Sequence, residues 1–195
     1  MGFTRAELES FRDATVPDLL GPGIRLLFVG INPGLWTAAA QAHFARRGNR
    51  FYPALLRAGI LERTIDASAG YTDDDRAHLL DHGIGITNIV ARATARAEEL
   101  TRAELVAGAR ALGQRVAAIR PAVVAILGIT AYRAGFQHPT AQLGKQDQRL
   151  GGAELWVLPN PSGLNAHSSL AALADAYARA ATAANLTRVA GPSTG

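Results

Sequence analysis

The sequence predicts an α/β fold: a three-layer α/β/α arrangement around a short, mostly parallel central sheet. Three observations carry that prediction. Short apolar runs at 25–30, 84–90, 122–127 and 155–158 have the length and composition of buried strands. Helix signals separate them, and such alternation argues for parallel strands covered on both faces. With 195 residues, 48% of them hydrophobic, the chain is long enough to bury that sheet in one domain.

The elements follow in order. Residues 4–11 read as a short helix, with Thr4 as its cap and Glu7 three residues later completing a capping box. Residues 16–23 form a connector, broken by Pro17 and Gly21-Pro22-Gly23. The strand at 25–30 runs into the turn-rich Asn32-Pro33-Gly34. Helical stretches near 49–59 and 74–81 come next, the second capped within Thr72 to Asp75, and the β-branched run 84–90 reads as a strand. Residues 101–120 give the clearest helix: Thr101 and Glu104 make another capping box, and Pro121 stops it. A strand at 122–127, a helix at 129–135, a strand at 155–158 and an alanine-rich helix at 168–185 complete the pattern. The expected division is a helical extension at 1–17, a single domain at 18–185 and a flexible tail at 186–195.

Composition narrows the chemistry. The chain has no cysteine, which excludes disulfides, thiolate nucleophiles and iron–sulfur clusters, and fits a cytoplasmic protein. No leader is evident and no apolar run approaches ~18 residues, so no membrane association is expected. The net charge is +4, and Lys145 is the only lysine among twenty basic residues. A GC-rich genome gives that bias, and so does phosphate contact through planar guanidinium groups. Arg46, Arg47, Arg50 and Arg57 lie in a stretch without an acid between Gln41 and Ile60. His78 and His82 are four residues apart, but without a third ligand the pair reads as a solvated helix feature, so no metal and no cofactor are expected. Gly83-Ile84-Gly85 lacks the third glycine of a dinucleotide loop, and Ser162 follows proline rather than sitting in a nucleophile elbow.

Two loops follow strands: 30–35 after the first and 159–167 after the last. Ligands of open α/β sheets bind beyond the carboxyl ends of the strands. The first loop reads Gly30-Ile31-Asn32-Pro33-Gly34-Leu35, with Asn49-Arg50-Phe51 downstream, and the last reads Asn160-Pro161-Ser162-Gly163-Leu164-Asn165. An Asn-Pro-Gly tripeptide alone is a turn. Two such loops, over a hundred residues apart, are far more specific. At these residues the sequence resembles the mismatch-specific uracil-DNA glycosylase and thymine-DNA glycosylase family, within the uracil-DNA glycosylase superfamily. The resemblance runs from about Asp18 to Tyr177 and includes Gly128 and Ala141-Gln142-Leu143-Gly144-Lys145-Gln146.

The resemblance implies a monofunctional glycosylase that flips uracil, and more weakly thymine, from G·U or G·T duplex DNA and hydrolyses its bond to deoxyribose. The asparagine matching Asn32 positions the attacking water. A neutral amide orients water through its carbonyl oxygen but cannot ionise to act as a strong base. Catalysis must then rest on stabilising the departing base, and a slow enzyme is expected. Phe44 matches the aromatic residue that stacks on the extruded base, and Ile31, Thr37 and Asn88 match positions lining its pocket. Leu164 corresponds to the wedge filling the gap in the duplex. Asn160, Ser162, Gly163 and Asn165 belong to the same DNA-binding loop, whose backbone would meet the widowed guanine. Each has a plainer reading too: a turn residue at Asn32, a core ring at Phe44, a loop hydrogen-bonder at Asn88, a core-docking side chain at Leu164.

The sequence also departs from relatives. Broad uracil-DNA glycosylases carry an aspartate in the first loop and a histidine opening the second, where this chain has Asn32 and Asn160. Within the mismatch family the loop after Leu164 often runs Ser-Arg, but here it runs Asn165-Ala166-His167. A nucleoside-type N-glycosyl hydrolase and a catalytically weak lesion-binding protein are the alternatives. The expected setting is a monomer acting on duplex DNA in the cytoplasm, at a bacterial nucleoid.

Overall fold

A computed structural model of the protein describes residues 2–163 and 168–186. Its sheet is built outward from β1 (Leu26–Gly30), all five residues of which are buried. β1 pairs in parallel with β2 (Ile84–Asn88) on one side and β3 (Val123–Leu127) on the other. β4 (Gly144–Leu150) and β5 (Ala153–Leu158) complete the order β2-β1-β3-β5-β4, with β5 parallel to β3 and β4 antiparallel at the edge. The α/β/α class expected from the alternation is the one observed.

The strands read as continuous apolar runs because side chains on both faces are covered. Leu26 and Phe28 project to one face, where Phe51, Leu55 and Tyr177 pack against them. There α3 (Phe51–Arg57) lies against α7 (Leu170–Ala183), while α4 (Asp73–Asp81) packs on β2. Leu27 and Val29 project to the other face and meet Leu112, Val116 and Tyr132. That layer is α5 (Arg102–Ile119) against α6 (Ile129–Gly135). Each fully buried large side chain here contributes about 1.5–3 kcal/mol.

Local chemistry sets the ends. The capping boxes at Thr4–Glu7 on α1 (Arg5–Glu9), Thr72–Asp75 on α4 and Thr101–Glu104 on α5 all form. α5 stops at Arg120, which turns left-handed (φ 55°) ahead of Pro121. Two elements carried no sequence signal. α2 (Leu35–Ala40) opens inside the turn-rich first loop. β4 alternates half-buried and exposed positions, as a polar edge strand does, and lacks an apolar run. Leu186, expected to begin the tail, donates its N–H to Ala181 and packs against the core; residues 187–195 lie outside the described residues. No helix among the described residues is long and apolar enough to cross a membrane.

Candidate active site

Because β1, β2, β3 and β5 are parallel, Gly30, Asn88, Leu127 and Leu158 all end at one edge of the sheet. The first loop leaves β1 there, and the chain leaving β2 runs beside it. Ile89 and Val90 donate N–H groups to the Gly30 and Ile31 carbonyls, and Thr94 donates to Pro33 at 3.1 Å. Residues 89–94 thus form a wall along the loop that sequence reasoning did not find.

That wall fixes the Asn32 amide. Its Nδ2 donates to the Arg92 carbonyl at 3.0 Å and to Thr94 Oγ1 at 2.8 Å. Thr94 spends its own proton on the Arg96 carbonyl at 2.8 Å, so its oxygen is committed to accepting. Both partners therefore require a donor. The amide must present NH₂ to the wall, which leaves Oδ1 as its unspent acceptor. Arg92 is itself anchored by ion pairs with Asp13 and Glu104. Hydrogen bonds from Arg92, then from Thr101, push the Glu104 carboxyl down to about 2.

A second cluster forms where Gly30 pairs with Asn88. A Cβ on Gly30 would lie 2.4 Å from Asn88 Oδ1 and 3.6 Å from Phe44 Cε1, so this position has to be glycine. Phe44 is half-buried and its ring stacks on Phe51 with centroids 4.0 Å apart. Its backbone is left-handed (φ 57°), a conformation costing a non-glycine residue about 1–2 kcal/mol. The hydroxyl of Tyr52 supports that turn by donating to the His43 carbonyl at 2.8 Å, with Tyr71 alongside at 3.4 Å.

His43 was not singled out in the sequence, yet it positions Asn88. It is 2% exposed, and its Nε2 lies 3.0 Å from the Pro17 carbonyl. A carbonyl only accepts, so the ring proton sits on Nε2 and Nδ1 faces Asn88 Nδ2 at 3.4 Å as acceptor. Burial, the largest cause, holds the imidazole below its ordinary 6.5, against the raising effects of Pro17 and Asp18. The unfolded chain then takes the proton first. Stability from this site is complete above about pH 6.5 and falls as the pH drops below it. Thermal melts at pH 7.5 and 5.5 should show wild type losing up to about 3–5 °C from this site, and His43→Gln losing less. Equal losses would separate the acid sensitivity from His43.

The two loops meet over Gly128. A Cβ there would lie 3.2 Å from Ile31 Cδ1 and 3.8 Å from Asn160 Nδ2. In the last loop Asn160 Oδ1 accepts from the Ser162 N–H at 2.9 Å. Arg50 ties this loop down: its N–H donates to the Pro161 carbonyl at 3.0 Å, and its guanidinium to the carbonyls of Ser162 and Ser168. Expected among phosphate-facing arginines, Arg50 is engaged with loop carbonyls, while Arg46 and Arg47 on the adjoining turn are exposed. Gly163 packs so closely on that turn that its Cβ would sit 2.6 Å from the Gly48 carbonyl oxygen. Leu164 and Asn165 lie outside the described residues.

Thr37 is 7% exposed within α2. Its neighbour Trp36 is held away, with its indole N–H on the Ser68 carbonyl at 3.0 Å and its ring against Phe3.

Comparison with known proteins agrees with this fold. The sequence pattern of the uracil DNA glycosylase superfamily matches residues 17–183. The fold is similar to the solution NMR structure of a candidate uracil DNA glycosylase from Methanosarcina acetivorans. That likeness has a TM-score of 0.53 over 84% of this chain and 97% of the other, at 14% identity. At such identity it speaks for the fold.

Proposed function

From a chain that belongs to the uracil DNA glycosylase superfamily, we infer an enzyme directed to mismatches, which extrudes uracil, and more slowly thymine, from G·U and G·T pairs. The superfamily activity is that of a DNA glycosylase, hydrolysing an N-glycosyl bond. The observation carrying the finer reading is the Asn32 amide, whose two N–H groups are held by Arg92 and Thr94. Its remaining Oδ1 accepts one proton of a water and turns a lone pair toward C1′. As the C1′–N bond breaks, its electrons leave with the base; the water oxygen takes its place on the sugar and sheds its surplus proton to solvent, from which the departed base anion is protonated. With no carboxylate to deprotonate that water early, the departing base carries the charge. Backbone N–H donors aimed at its oxygens are worth ~10²–10³ each in rate.

The other residues take roles their surroundings support. Phe44, backed on one side by Phe51, is the platform for the flipped base, a contact contributing about 1–3 kcal/mol. Asn88 gives its Nδ2 to His43 and keeps Oδ1 for the pyrimidine N3–H. Ile31 closes the pocket beside Gly128. Arg46 and Arg47 contact phosphates next to the last loop, from which Leu164 enters the duplex and Asn160, Ser162, Gly163 and Asn165 shape the approach to guanine. A labelled duplex with one G·U pair tests the reading. Alkali-sensitive breakage at the uracil is expected. Cleavage of free nucleoside alone, or retention of the duplex without cleavage, would overturn it.

Thr37 sets the preference between the two bases. It is buried in the helix that follows the first loop, and its β-branched methyl has little rotational escape. Thymine differs from uracil by one C5 methyl, and discrimination on such a group is about 1–3 kcal/mol. G·U should be processed about 10-fold to 200-fold faster than G·T, and Thr37→Ala should narrow that ratio by speeding thymine removal. Single-turnover rates on both mispairs decide it. An unchanged ratio would place Thr37 away from the base.

A further inference from the structure

We propose that Glu62, His78 and His82 form a binding site for a zinc-type divalent ion, one that clamps α4 to the segment following α3. His78 and His82 are one turn apart at the end of α4, and the fold brings Glu62 to them from the loop after α3. His82 Nε2 lies 2.9 Å and His78 Nε2 3.9 Å from the same carboxylate oxygen, Glu62 Oε2. One potential ligand atom from each residue lies within 4.8 Å of the others. Tetrahedral zinc with bonds of about 2.0–2.1 Å spaces its ligand atoms roughly 3.3–3.4 Å apart, so shifts of well under an ångström on each side complete the geometry.

Two details of the rings suit a metal. His82 Nδ1 lies 2.7 Å from the His78 carbonyl, so Nδ1 carries a proton, and in the neutral ring Nε2 is the nitrogen left with a lone pair for an ion. That is the outer hydrogen bond by which metal-binding histidines fix their tautomer. His78 Nε2, in turn, is buried and has no hydrogen-bond partner among the described residues. Buried ring nitrogens are nearly always satisfied, and an ion between the three side chains satisfies this one. Arg63 is held by Asp74 and Asp75, so its charge is countered beside the site. Two imidazoles and one carboxylate suit zinc rather than the all-oxygen preferences of magnesium or calcium. Glu62 is half exposed and leaves room for water as the fourth ligand.

The cluster stands apart from the proposed reaction. His82 is followed directly by the amino end of β2, whereas Gly30 and Asn88 lie at the carboxyl ends of the strands, about a strand's length away. The role is therefore structural. Tag-free protein stripped with chelator should take up one Zn(II) with about micromolar affinity or tighter in calorimetry, and one Co(II) with the visible bands of a four-coordinate site. Saturating Zn(II) should raise the midpoint of thermal unfolding by about 5–10 °C. His82→Gln and Glu62→Gln should each lose uptake and the thermal shift, while His138→Gln keeps both. Because Glu62 is half exposed, Glu62→Gln leaves the fold intact for this comparison. No uptake by wild type, or undiminished uptake by both variants, would overturn the site.

Discussion

Asn32→Ala should cut the single-turnover rate of uracil excision from a G·U duplex by about 10²–10³, with duplex binding preserved within a few-fold. The side chain has two separable jobs. Its N–H groups satisfy the Arg92 carbonyl and Thr94 Oγ1, and in the proposed reaction its Oδ1 holds the water. Alanine removes both, so a stability cost of about 1–2 kcal/mol accompanies the lost rate. Asn32→Asp sharpens the test. An ionised carboxylate has the right shape but only acceptors, and it would face the carbonyl of Arg92 and an oxygen whose proton is spent on Arg96. The wall accepts an amide at this position and disfavours an acid. Aspartate should recover only part of the lost rate. Excision by Asn32→Ala within about tenfold of wild type would remove Asn32 from the reaction.

The parallel strands were legible because burial on both faces writes itself as unbroken apolar runs, as at Leu26–Gly30. β4 was not, since an edge strand with one face in solvent carries polar residues such as Lys145 and Gln146. α2 was hidden for another reason: six residues behind a glycine cap are too few to show a helical period. The candidate site divides in the same way. Asn32, Phe44 and Asn88 were found through the family resemblance, and the structure brings Phe44 and Asn88 together at Gly30. What orients them was invisible. Thr94 lies sixty-two residues from Asn32, and His43 forty-five from Asn88. Nothing in the local sequence of either announces the pairing. His78 and His82 show the limit most clearly: their spacing was evident, but Glu62 reaches them only because the segment after α3 folds onto α4.

Gly163→Ala should reduce both G·U binding and excision by about 10², unlike Asn32→Ala, which spares binding. The new Cβ would sit 2.6 Å from the Gly48 carbonyl oxygen and 3.3 Å from its carbon, against backbone rather than a side chain that could swing aside. Something must move. The last loop cannot shift freely, because Arg50 holds the carbonyls of Pro161, Ser162 and Ser168 from the same side. The loop and the Arg46–Arg50 turn are therefore pushed apart by the methyl while the guanidinium holds them together. Overpacking of this kind costs about 1–3 kcal/mol, which for this chain length lowers the unfolding midpoint by roughly 2–12 °C. A displacement near 1 Å of groups that position a substrate is enough to cost about 10² in rate. Binding suffers as well, since the same loop leads to Leu164 and Asn165. Gly113→Ala is the matched control: its Cβ meets only Leu150 Cδ1 at 3.5 Å, within α5 and away from either loop. That variant should keep wild-type excision and gain about 0.5–1 kcal/mol of stability from the better helix former. Single-turnover rates and duplex affinities for the three proteins, each measured well below its midpoint, decide the matter. If Gly163→Ala binds and excises within about threefold of wild type, the contact with Gly48 does not set the loop, and Arg50 alone does.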